Sequence, residues 1–402
     1  MRRLPSIVLL ATLVILGTVP AEYAQSSEIF LYDGVSTIKL TDGPSTHMHP
    51  KINDSGWVVW YGSDGSDNEI FLYDGSAVIQ LTDNSRNDIL PEINDAGWVV
   101  WQGCDSGVGY FCDGGDSEIF LYDGISTTKL TDNNYNDRWP QINDNGYVVW
   151  DGGGIWLYDG STSSELADSG ALPQINDNNW VCWYASDGSE PEIFLYDGSG
   201  ITQITDNSFS DIAPEINDDG WMVWYGGDID HYEIFLYDGS VITQLTDNDY
   251  TDYNPKINNN GWVVWEGWVV SGNSEIFLYD GTSTTELTNP GNDYRPRIND
   301  NGWVVWYGYE GLASDVLLYD GTGISRLTDV TGYSEEVPDI NNSGYVVWSG
   351  EIPSESYTAT ANAEASVYGI DSLTGSGIFN EMILLLIPVG GVILLRILRR
   401  NR

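Results

Sequence analysis

The sequence predicts an all-β fold, an eight-bladed β-propeller in which one repeat of about 41 residues is used eight times. Three recurring motifs carry this prediction. The first reads Glu-Ile-Phe-Leu-Tyr-Asp-Gly or a close variant and runs in eight copies from Glu28 to Asp315. A Thr-rich segment follows each copy, and then Pro-x-Ile-Asn leads into Gly-Trp-Val-Val-Trp or a variant of it. Each repeat therefore offers four strand-like segments, enough for one four-stranded antiparallel blade.

Each motif is typical of a β-strand. Val, Ile, Trp, Tyr and Thr dominate the runs, and turn residues such as Asn-Asp-x-Gly and Tyr-Asp-Gly separate them. Both faces of the segment Trp57–Trp60 are apolar. A sheet with two apolar faces must be covered on both, and stacked propeller blades provide that cover. The Trp residues of these strands are therefore expected to pack between blades.

The order of the motifs predicts how the ring closes. The array opens with the third and fourth strand types, in residues 28–41, and ends with the first and second, in residues 338–348. Either half alone would leave an unpaired strand edge. We therefore expect Glu28–Tyr32 to pair with Tyr345–Trp348, so that the two termini complete the last blade together.

The two ends of the chain read as targeting segments. Residues 1–24 combine a basic start with an apolar stretch and small residues, the pattern of a secretory signal peptide. Residues 28–350 form the propeller, and residues 351–378 are a Ser/Thr/Ala-rich spacer. Residues 379–402 are apolar and then Arg-rich, which predicts a transmembrane anchor or a sorting tail. The expected protein is exported and held at the membrane or the cell surface by this segment.

The net charge of −45 lies almost entirely on the propeller. Residues 28–350 contain nine Lys and Arg against 54 Asp and Glu. Such a field repels nucleic acid and attracts divalent cations or basic partners. It also keeps an aromatic-rich secreted protein soluble, and the composition alone leaves both interpretations open.

The repeat resembles the TolB-type, WD40-like propeller repeat. The resemblance rests on the repeat Pro and Gly, on Ile-Phe-Leu-Tyr-Asp-Gly and on Leu-Thr-Asp, and it covers residues 28–350. The usual Trp-Ser-Pro-Asp-Gly of that repeat is here Ile-Asn-Asp-x-Gly, and the TolB proteins have six blades and an additional N-terminal domain. The resemblance therefore implies the type of repeat and the propeller fold, and the TolB role is not carried over.

Sequence signatures of common enzymes are missing. The chain has no Gly-x-Ser-x-Gly, His-Glu-x-x-His or Cys-x-x-Cys motif. His47 and His49 form the one close His pair, which a polar loop explains without a metal. Cys104 and Cys112 flank an insertion and are expected to form a disulfide, whereas Cys182 replaces a Val in a buried strand.

One set of residues predicts a binding site. If the Pro-x-Ile-Asn strand is the innermost of each blade, the residues three positions before each repeat proline surround one mouth of the central channel. They could bind a divalent cation such as Ca²⁺, or a basic peptide; alternatively, each Asp caps its own turn. The acidic loop Asp64–Asp67 is a second, weaker candidate for Ca²⁺. The predicted mouth residues are His47, Asp88, Asp137, Gly170, Asp211, Asp252, Asp293 and Glu335.

These features together predict a non-catalytic binding propeller. The expected partner is a protein, peptide or glycan at the cell surface, bound by a monomer without a resident cofactor except Ca²⁺. Two alternatives stay open at this stage. One is a glycan hydrolase or lyase that uses channel-mouth carboxylates, and the other is a structural or adhesive surface component.

Overall fold

The computed structural model contains two compact units, which fall within residues 1–353 and 354–402. The part of the chain that it describes comprises residues 26–43, 45–104, 116–186, 188, 190–228, 231–269, 272–288, 291–310, 313–329, 335–352, 383–387 and 391–395.

The first unit is all-β in its described residues. Its strands, in chain order, are β1 (Ser26–Tyr32), β2 (Thr37–Lys39), β3 (His47–Ile52), β4 (Val58–Ser63), β5 (Asn68–Tyr73), β6 (Val78–Gln80), β7 (Asp88–Ile93), β8 (Val99–Cys104), β9 (Ser117–Tyr122), β10 (Thr127–Lys129), β11 (Arg138–Ile142), β12 (Val148–Asp151), β13 (Ile155–Tyr158), β14 (Ser163–Ala167), β15 (Ala171–Ile175), β16 (Val181–Ser186), β17 (Pro191–Tyr196), β18 (Ile201–Gln203), β19 (Ser210–Ile216), β20 (Met222–Asp228), β21 (His231–Tyr237), β22 (Ile242–Gln244), β23 (Thr251–Ile257), β24 (Val263–Trp268), β25 (Ser274–Tyr279), β26 (Thr284–Glu286), β27 (Asp293–Ile298), β28 (Val304–Glu310), β29 (Ala313–Tyr319), β30 (Ile324–Arg326), β31 (Glu335–Ile340) and β32 (Val346–Ile352).

These strands form eight four-stranded antiparallel sheets, which confirms the predicted propeller. Blades 1 to 7 each use four consecutive strands, from β3–β6 in blade 1 to β27–β30 in blade 7. Blade 8 has the order β2-β1-β32-β31, so it joins the two ends of the array. Glu28 pairs with Gly350 and Tyr32 with Val346, as the closure prediction requires. The ring is thus sealed by hydrogen bonds between strands far apart in sequence.

The core lies between blades rather than inside any one of them. Each of the eight hydrophobic clusters combines strands of two neighbouring blades; one of them packs Val59 and Ile70 of blade 1 against Ile89 and Trp101 of blade 2. Every blade contributes one fully buried Trp from its second strand, which confirms the predicted packing role. These residues are Trp60, Trp101, Trp150, Trp183, Trp224, Trp265, Trp306 and Trp348.

The other aromatic residue of the second-strand motif covers a turn of the next blade. The turn glycine Gly97 has a φ of +78°, and a Cβ placed on it would lie 2.4 Å from the Trp57 ring of the preceding blade. The same relation joins Gly220 to Trp180. Only glycine tolerates both the left-handed backbone and this close ring contact, which explains the glycine of the Asn-Asp-x-Gly turn.

The second unit corrects the predicted C-terminal helix. The described residues there form a two-stranded antiparallel sheet of β33 (Ile383–Ile387) and β34 (Gly391–Leu395). Across the described residues, no helix is long and apolar enough to span a membrane. The helix prediction followed the hydropathy of the segment, although it included Pro388 and the Gly390-Gly391 pair. Proline and glycine in the middle of the segment disfavour one continuous helix.

Several expectations fall outside the described residues. The predicted signal peptide, residues 1–24, and nearly all of the spacer, residues 351–378, belong to this group. Cys104 is disulfide-bonded, and its expected partner Cys112 lies outside the described residues. Cys182 is a fully buried free thiol, as predicted, and burial raises its pKa.

Candidate functional site

The first strands of the eight blades surround a central cavity. Each of these strands contacts the first strand of the next blade, and β31 contacts β3, so they make a closed inner ring. A cavity of about 340 Å³ opens at the end of this ring where the first strands finish. Eight Ile-Asn-Asp or Ile-Asn-Asn triplets line it, one from each blade, from Ile52, Asn53 and Asp54 to Ile340, Asn341 and Asn342.

The Asn of each triplet links neighbouring blades through a closed ring of hydrogen bonds. In blade 1 the Asn53 Nδ2 donates to the Asn94 carbonyl at 2.9 Å, and the pattern continues until Asn341 Nδ2 donates back to the Asn53 carbonyl at 2.9 Å. Each Asn Oδ1 also accepts a backbone N–H of its own turn, as Asn53 does from Trp57. All eight Asn residues are buried: Asn53, Asn94, Asn143, Asn176, Asn217, Asn258, Asn299 and Asn341.

A second ring runs outside the first. Here the side chain following each Asn accepts the backbone N–H of its equivalent in the preceding blade, as Asp95 Oδ1 does from Asp54 N at 2.8 Å. The ring closes where Asn342 N donates to Asp54 Oδ1. Its members are Asp54, Asp95, Asp144, Asp177, Asp218, Asn259, Asp300 and Asn342.

The Asp side chains of this outer ring make the cavity electronegative next to blades 2 to 4. Asn259 Nδ2 bonds the carboxylates of Asp218 and Asp300 on both sides of it. No such amide separates Asp95, Asp144 and Asp177, and burial together with their acidic neighbours raises the pKa of each of these carboxyls. Sequence reasoning treated these residues only as hairpin turns, because a ring built from separate repeats appears only once the blades are closed.

A β-bulge interrupts every first strand just before the repeat proline. The residue at this position has a φ of +48° to +52° in all eight blades, although none of them is glycine. A left-handed conformation is unusual for such residues, and its recurrence shows that the closed ring imposes it. The residues are His49, Leu90, Trp139, Leu172, Ala213, Asn254, Arg295 and Val337.

The residue at the bulge position differs between the blades of the inner ring. Blades 2 to 5 place Leu90, Trp139, Leu172 and Ala213 there, so this arc is apolar. Blades 6, 7 and 1 place Asn254, Arg295 and His49 at the same position, and blade 8, between blades 7 and 1, places the apolar Val337 there. The eight copies of the repeat therefore differ at this position, with apolar residues on blades 2 to 5 and 8 and polar residues on blades 6, 7 and 1.

The inner strands also hold most of the positive charge of the propeller. Five of its nine Lys and Arg residues lie on first strands: Lys51, Arg138, Lys256, Arg295 and Arg297. Ion pairs join neighbouring blades, with Lys51 Nζ 2.6 Å from Glu92 and Arg297 Nε 3.9 Å from Asp339. Lys256 pairs with Glu215 in the same way. Among the described residues, the exposed Arg295 guanidinium forms no ion pair.

The positive charges of these first strands act on His49. Burial, followed by the charges of Arg295, Lys51 and Arg297, lowers the pKa of His49 to about 4. Its ring stacks on Tyr61 with centroids 5.4 Å apart. His49 is therefore neutral at neutral pH and leaves the Arg and Lys side chains as the cationic groups of these strands.

Glu266 holds the bulge of the next blade in place. This fully buried carboxylate accepts the Arg295 backbone N–H at 2.7 Å and the Asn254 Nδ2 at 3.0 Å. Burial, followed by the Glu266 charge, raises the pKa of Tyr253, whose hydroxyl accepts the Trp268 indole N–H. The Glu266 carboxylate on the second strand of blade 6 thus ties the bulges of blades 6 and 7 together.

The predicted mouth residues lie elsewhere, inside their own blades. Asp88, Asp137, Asp211, Asp252 and Asp293 are at most 5% exposed, and none of them lines the central cavity. Four of them accept the indole N–H of the buried Trp of their blade; these bonds are 3.1 Å for Asp88, 3.2 Å for Asp137, 2.8 Å for Asp211 and 2.9 Å for Asp293. His47 takes the same bond from Trp60 at 3.2 Å, and the Glu335 side chain lies outside the described residues.

Burial raises the pKa of most of these carboxyls. Desolvation is the largest cause, and the pKa of Asp137, Asp211, Asp252 and Asp293 is about 6 in each case. Hydrogen bonds from Asn and Trp side chains act in the opposite direction. Cation or peptide binding at these residues stays a prediction.

Blade 4 differs from the other blades at the position of these acids. A glycine of the second strand lies opposite each of these acids, as Gly226 lies opposite Asp211, and a Cβ on Gly226 would stand 2.1 Å from the Asp211 Oδ1. Blade 4 has Gly170 instead of the acid, and Ala185 instead of the glycine. Among the described residues, Trp183 Nε1 has no hydrogen-bond partner, and neither has Trp265 Nε1, although blade 6 has both Asp252 and Gly267. In the four blades named above, the acid accepts the indole N–H directly.

Comparison with known proteins adds information at the level of the fold. No family model and no curated protein sequence matches the chain. Its structure is similar to the β-propeller domain of the Trilobed protease from Pyrococcus furiosus, at 15% identity and a TM-score of 0.51, over 71% of this chain and 96% of that domain. That propeller is described as having an open velcro topology, whereas blade 8 here joins both ends of the array.

Two complete peptidases share the fold as well. Pyrococcus horikoshii acylaminoacyl peptidase is 14% identical, with a TM-score of 0.50, over 73% of this chain and 55% of that one. Porphyromonas gingivalis dipeptidyl peptidase 4 is 12% identical, with a TM-score of 0.52, over 69% of this chain and 52% of that one. The match thus spans about half the length of these peptidases.

These neighbours correct the functional expectation drawn from the sequence. The chain was expected to be a non-catalytic binding propeller and not an enzyme, with a glycan hydrolase or lyase and a surface component as alternatives. The expectation of a non-catalytic binding propeller that is not an enzyme is corrected by the three solved structures described above, which are a peptidase propeller and two peptidases. At identities of 12–15%, this likeness is one of fold.

Proposed function

We propose that this chain is the propeller component of a peptidase and that its inner ring contacts the peptide. The likeness to peptidase propellers supports the first part of the proposal. The sequence contains no Gly-x-Ser-x-Gly nucleophile motif, so under this proposal another domain or protein supplies the catalytic group. We also assign the repeat to the TolB type, on the residues quoted above.

The proposed contact between the inner ring and the peptide rests on the different residues that the blades place at the bulge position. A peptide has an apolar or polar side-chain pattern and a carboxylate at one end, so it is an asymmetric ligand. Leu90, Trp139 and Leu172 suit its apolar side chains, while the unpaired Arg295 guanidinium suits a carboxylate. The acidic body repels anions in general, so a carboxylate would be held locally by the Arg295 guanidinium.

Export is part of the same proposal. Cys104 is disulfide-bonded, and such bonds persist in oxidising compartments. The basic and apolar pattern of residues 1–24 agrees with a secretory route. We therefore assign the propeller to the extracytoplasmic side.

Peptide binding tests this proposal directly. Fluorescence anisotropy would compare a labelled apolar peptide that has a free C-terminal carboxylate with its C-terminal amide. We expect the free acid to bind the full chain, and Arg295→Gln to weaken that binding about tenfold, the effect of losing about 1.4 kcal/mol of a charge-assisted contact. The charge-matched control is Lys39→Gln, on the outer strand β2, which should leave the affinity unchanged.

Two results would contradict the proposal. One is the absence of binding to either peptide, and the other is equal binding by the wild type and Arg295→Gln. A separate assay would measure peptide hydrolysis in fractions of the native host that contain the chain. Hydrolytic activity that never co-purifies with it would argue against a peptidase component.

A further inference from the structure

The hairpin between β4 and β5 brings three carboxylates together at the edge of blade 1. Asp64 and Asp67 lie in the connecting loop, and Glu69 begins the following strand. Each of the three offers a carboxylate oxygen within 4.8 Å of the others. Asp64 is exposed, Asp67 is partly buried and Glu69 is completely buried, so the group extends from the surface into the blade.

Among the described residues, two oxygen atoms of this group have no hydrogen-bond partner, although both are buried from solvent. These atoms are Asp67 Oδ1 and Glu69 Oε2. A buried carboxylate oxygen without a donor is costly, because it has lost its water and gained nothing in exchange. The other oxygen of Glu69 accepts the Asn84 backbone N–H at 2.8 Å, so the side chain is fixed in this position.

Equivalent residues in other blades show the usual arrangement. In blade 6 the second carboxylate oxygen of Glu275 accepts the Thr288 hydroxyl at 2.8 Å. In blade 2 the corresponding bond joins Thr131 to Glu118 at 2.5 Å. Thr82 takes that place in blade 1 and its hydroxyl lowers the pKa of Glu69, but it forms no well-aligned hydrogen bond to Glu69 Oε2. Among the described residues, no other donor reaches this oxygen.

A second loop of the chain has nearly the same acidic sequence as the β4–β5 loop. Asp64-Gly-Ser-Asp-Asn-Glu69 is matched by residues 187–192, which read Asp-Gly-Ser-Glu-Pro-Glu. Glu192 of that second copy also has an Oε2 without a partner. The loop before Glu275, in contrast, contains no acid between Trp268 and Ser274. Glu233 Oε2 has no partner either, whereas Glu118 is bonded to Thr131 although Asp residues precede it as well.

We propose that Asp64, Asp67 and Glu69 bind a Ca²⁺ ion that ties the β4–β5 loop to blade 1. Three carboxylates without nitrogen or sulfur donors suit a hard cation. Ca²⁺ accepts the irregular geometry of a surface loop and completes its shell with carbonyl oxygens and water, whereas Mg²⁺ demands a near-ideal octahedron. The ion would satisfy the two buried oxygens and neutralise a cluster of like charges.

Thermal unfolding of the full-length protein tests the site, after treatment with a chelator and then addition of CaCl₂ or MgCl₂ at matched ionic strength. Sites of few carboxylates bind Ca²⁺ with a Kd on the order of 0.1–1 mM, so 10 mM CaCl₂ should raise Tm by about 2–4 °C. The loop variant Asp64→Asn/Asp67→Asn changes only the β4–β5 loop and should lose at least about half of that rise. Glu69→Gln should have the same effect, and the matched control Glu275→Gln should keep the full rise.

Calorimetric titration with CaCl₂ provides the second measurement and does not depend on unfolding. We expect the wild type and Glu275→Gln to release or absorb the same binding heat, and the loop variant to lose the component from this site. The proposal is overturned if the wild type shows no Tm rise, if the rise survives in the loop variant, or if MgCl₂ produces an equal rise. A rise lost equally in Glu275→Gln would overturn it as well.

Discussion

Replacing Asp211 by Asn should flatten the pH dependence of stability. Asp211 is 1% exposed, its pKa is about 6 in the folded protein, and an unperturbed Asp has a pKa of 3.8. Between these two values the folded protein binds more protons at this residue than the unfolded chain does. The stability contribution of Asp211 is therefore complete below about pH 4 and is lost as the pH rises through 6.

The size of the effect follows from the same two values. A difference of one pKa unit corresponds to about 1.4 kcal/mol, so Asp211 lowers the free energy of unfolding by about 3 kcal/mol at neutral pH compared with acidic pH. Acidification from pH 7.5 to pH 5 should recover about 1 kcal/mol of this free energy. Three other carboxyls, those of Asp137, Asp252 and Asp293, have the same shift. The wild type should therefore become more stable on acidification to pH 5, and Asp211→Asn should gain about 1 kcal/mol less than the wild type.

Urea unfolding followed by Trp fluorescence at pH 7.5 and pH 5 measures this difference. The Asn side chain preserves the shape and can still accept the Trp224 indole N–H, so the fold should be retained. Asp159→Asn is the control: Asp159 is exposed and turn hydrogen bonds lower its pKa to about 2, so it does not titrate between these pH values. Equal pH dependence in the wild type and Asp211→Asn would refute the reasoning, as would a wild type that loses stability at pH 5.

The remaining predictions concern packing and the inner ring. Gly226→Ala places a Cβ 2.1 Å from the Asp211 Oδ1 and should lower the free energy of unfolding by about 1–3 kcal/mol. The control is Gly200→Ala, whose Cβ would meet no neighbouring atom and which should change the free energy of unfolding by less than about 0.5 kcal/mol. Asn217→Ala removes a bond to the Asn258 carbonyl and one from the Trp221 N–H, and should cost about 1–3 kcal/mol in a urea titration. A fully stable Gly226→Ala or Asn217→Ala protein would contradict the packing described here.

Much of the fold could be predicted from the sequence, because strand formation and blade pairing depend on short patterns. Alternating apolar residues, turn glycines and a fixed repeat length determine the strands and their order. The offset between the first and last motifs likewise predicts that Glu28–Tyr32 pairs with Tyr345–Trp348; the structure confirms the closure, with the pairing running over Val346–Gly350. The C-terminal segment was mispredicted because its hydropathy is the same for a helix and for a pair of strands.

The candidate site depends on features that no single repeat contains. The bulge at Leu90 and its equivalents adds one residue to each first strand, and an extra residue reverses which face the neighbouring side chains occupy. Asp88 and its equivalents therefore turn into the blades, although their spacing from the proline placed them at the channel mouth. The rings of Asn and Asp side chains likewise join residues from different repeats.

The sequence by itself thus determined the repeat, the strands and the closed propeller, since each follows from contacts within one repeat or between adjacent ones. Only the tertiary structure decided which polar side chains meet at the centre. Eight first strands converge there, so residues that differ between repeats, such as Asn254 and Arg295 of blades 6 and 7, lie on adjacent strands. The relation to peptidase propellers also depends on three-dimensional shape, because blade packing survives sequence changes that erase recognisable motifs.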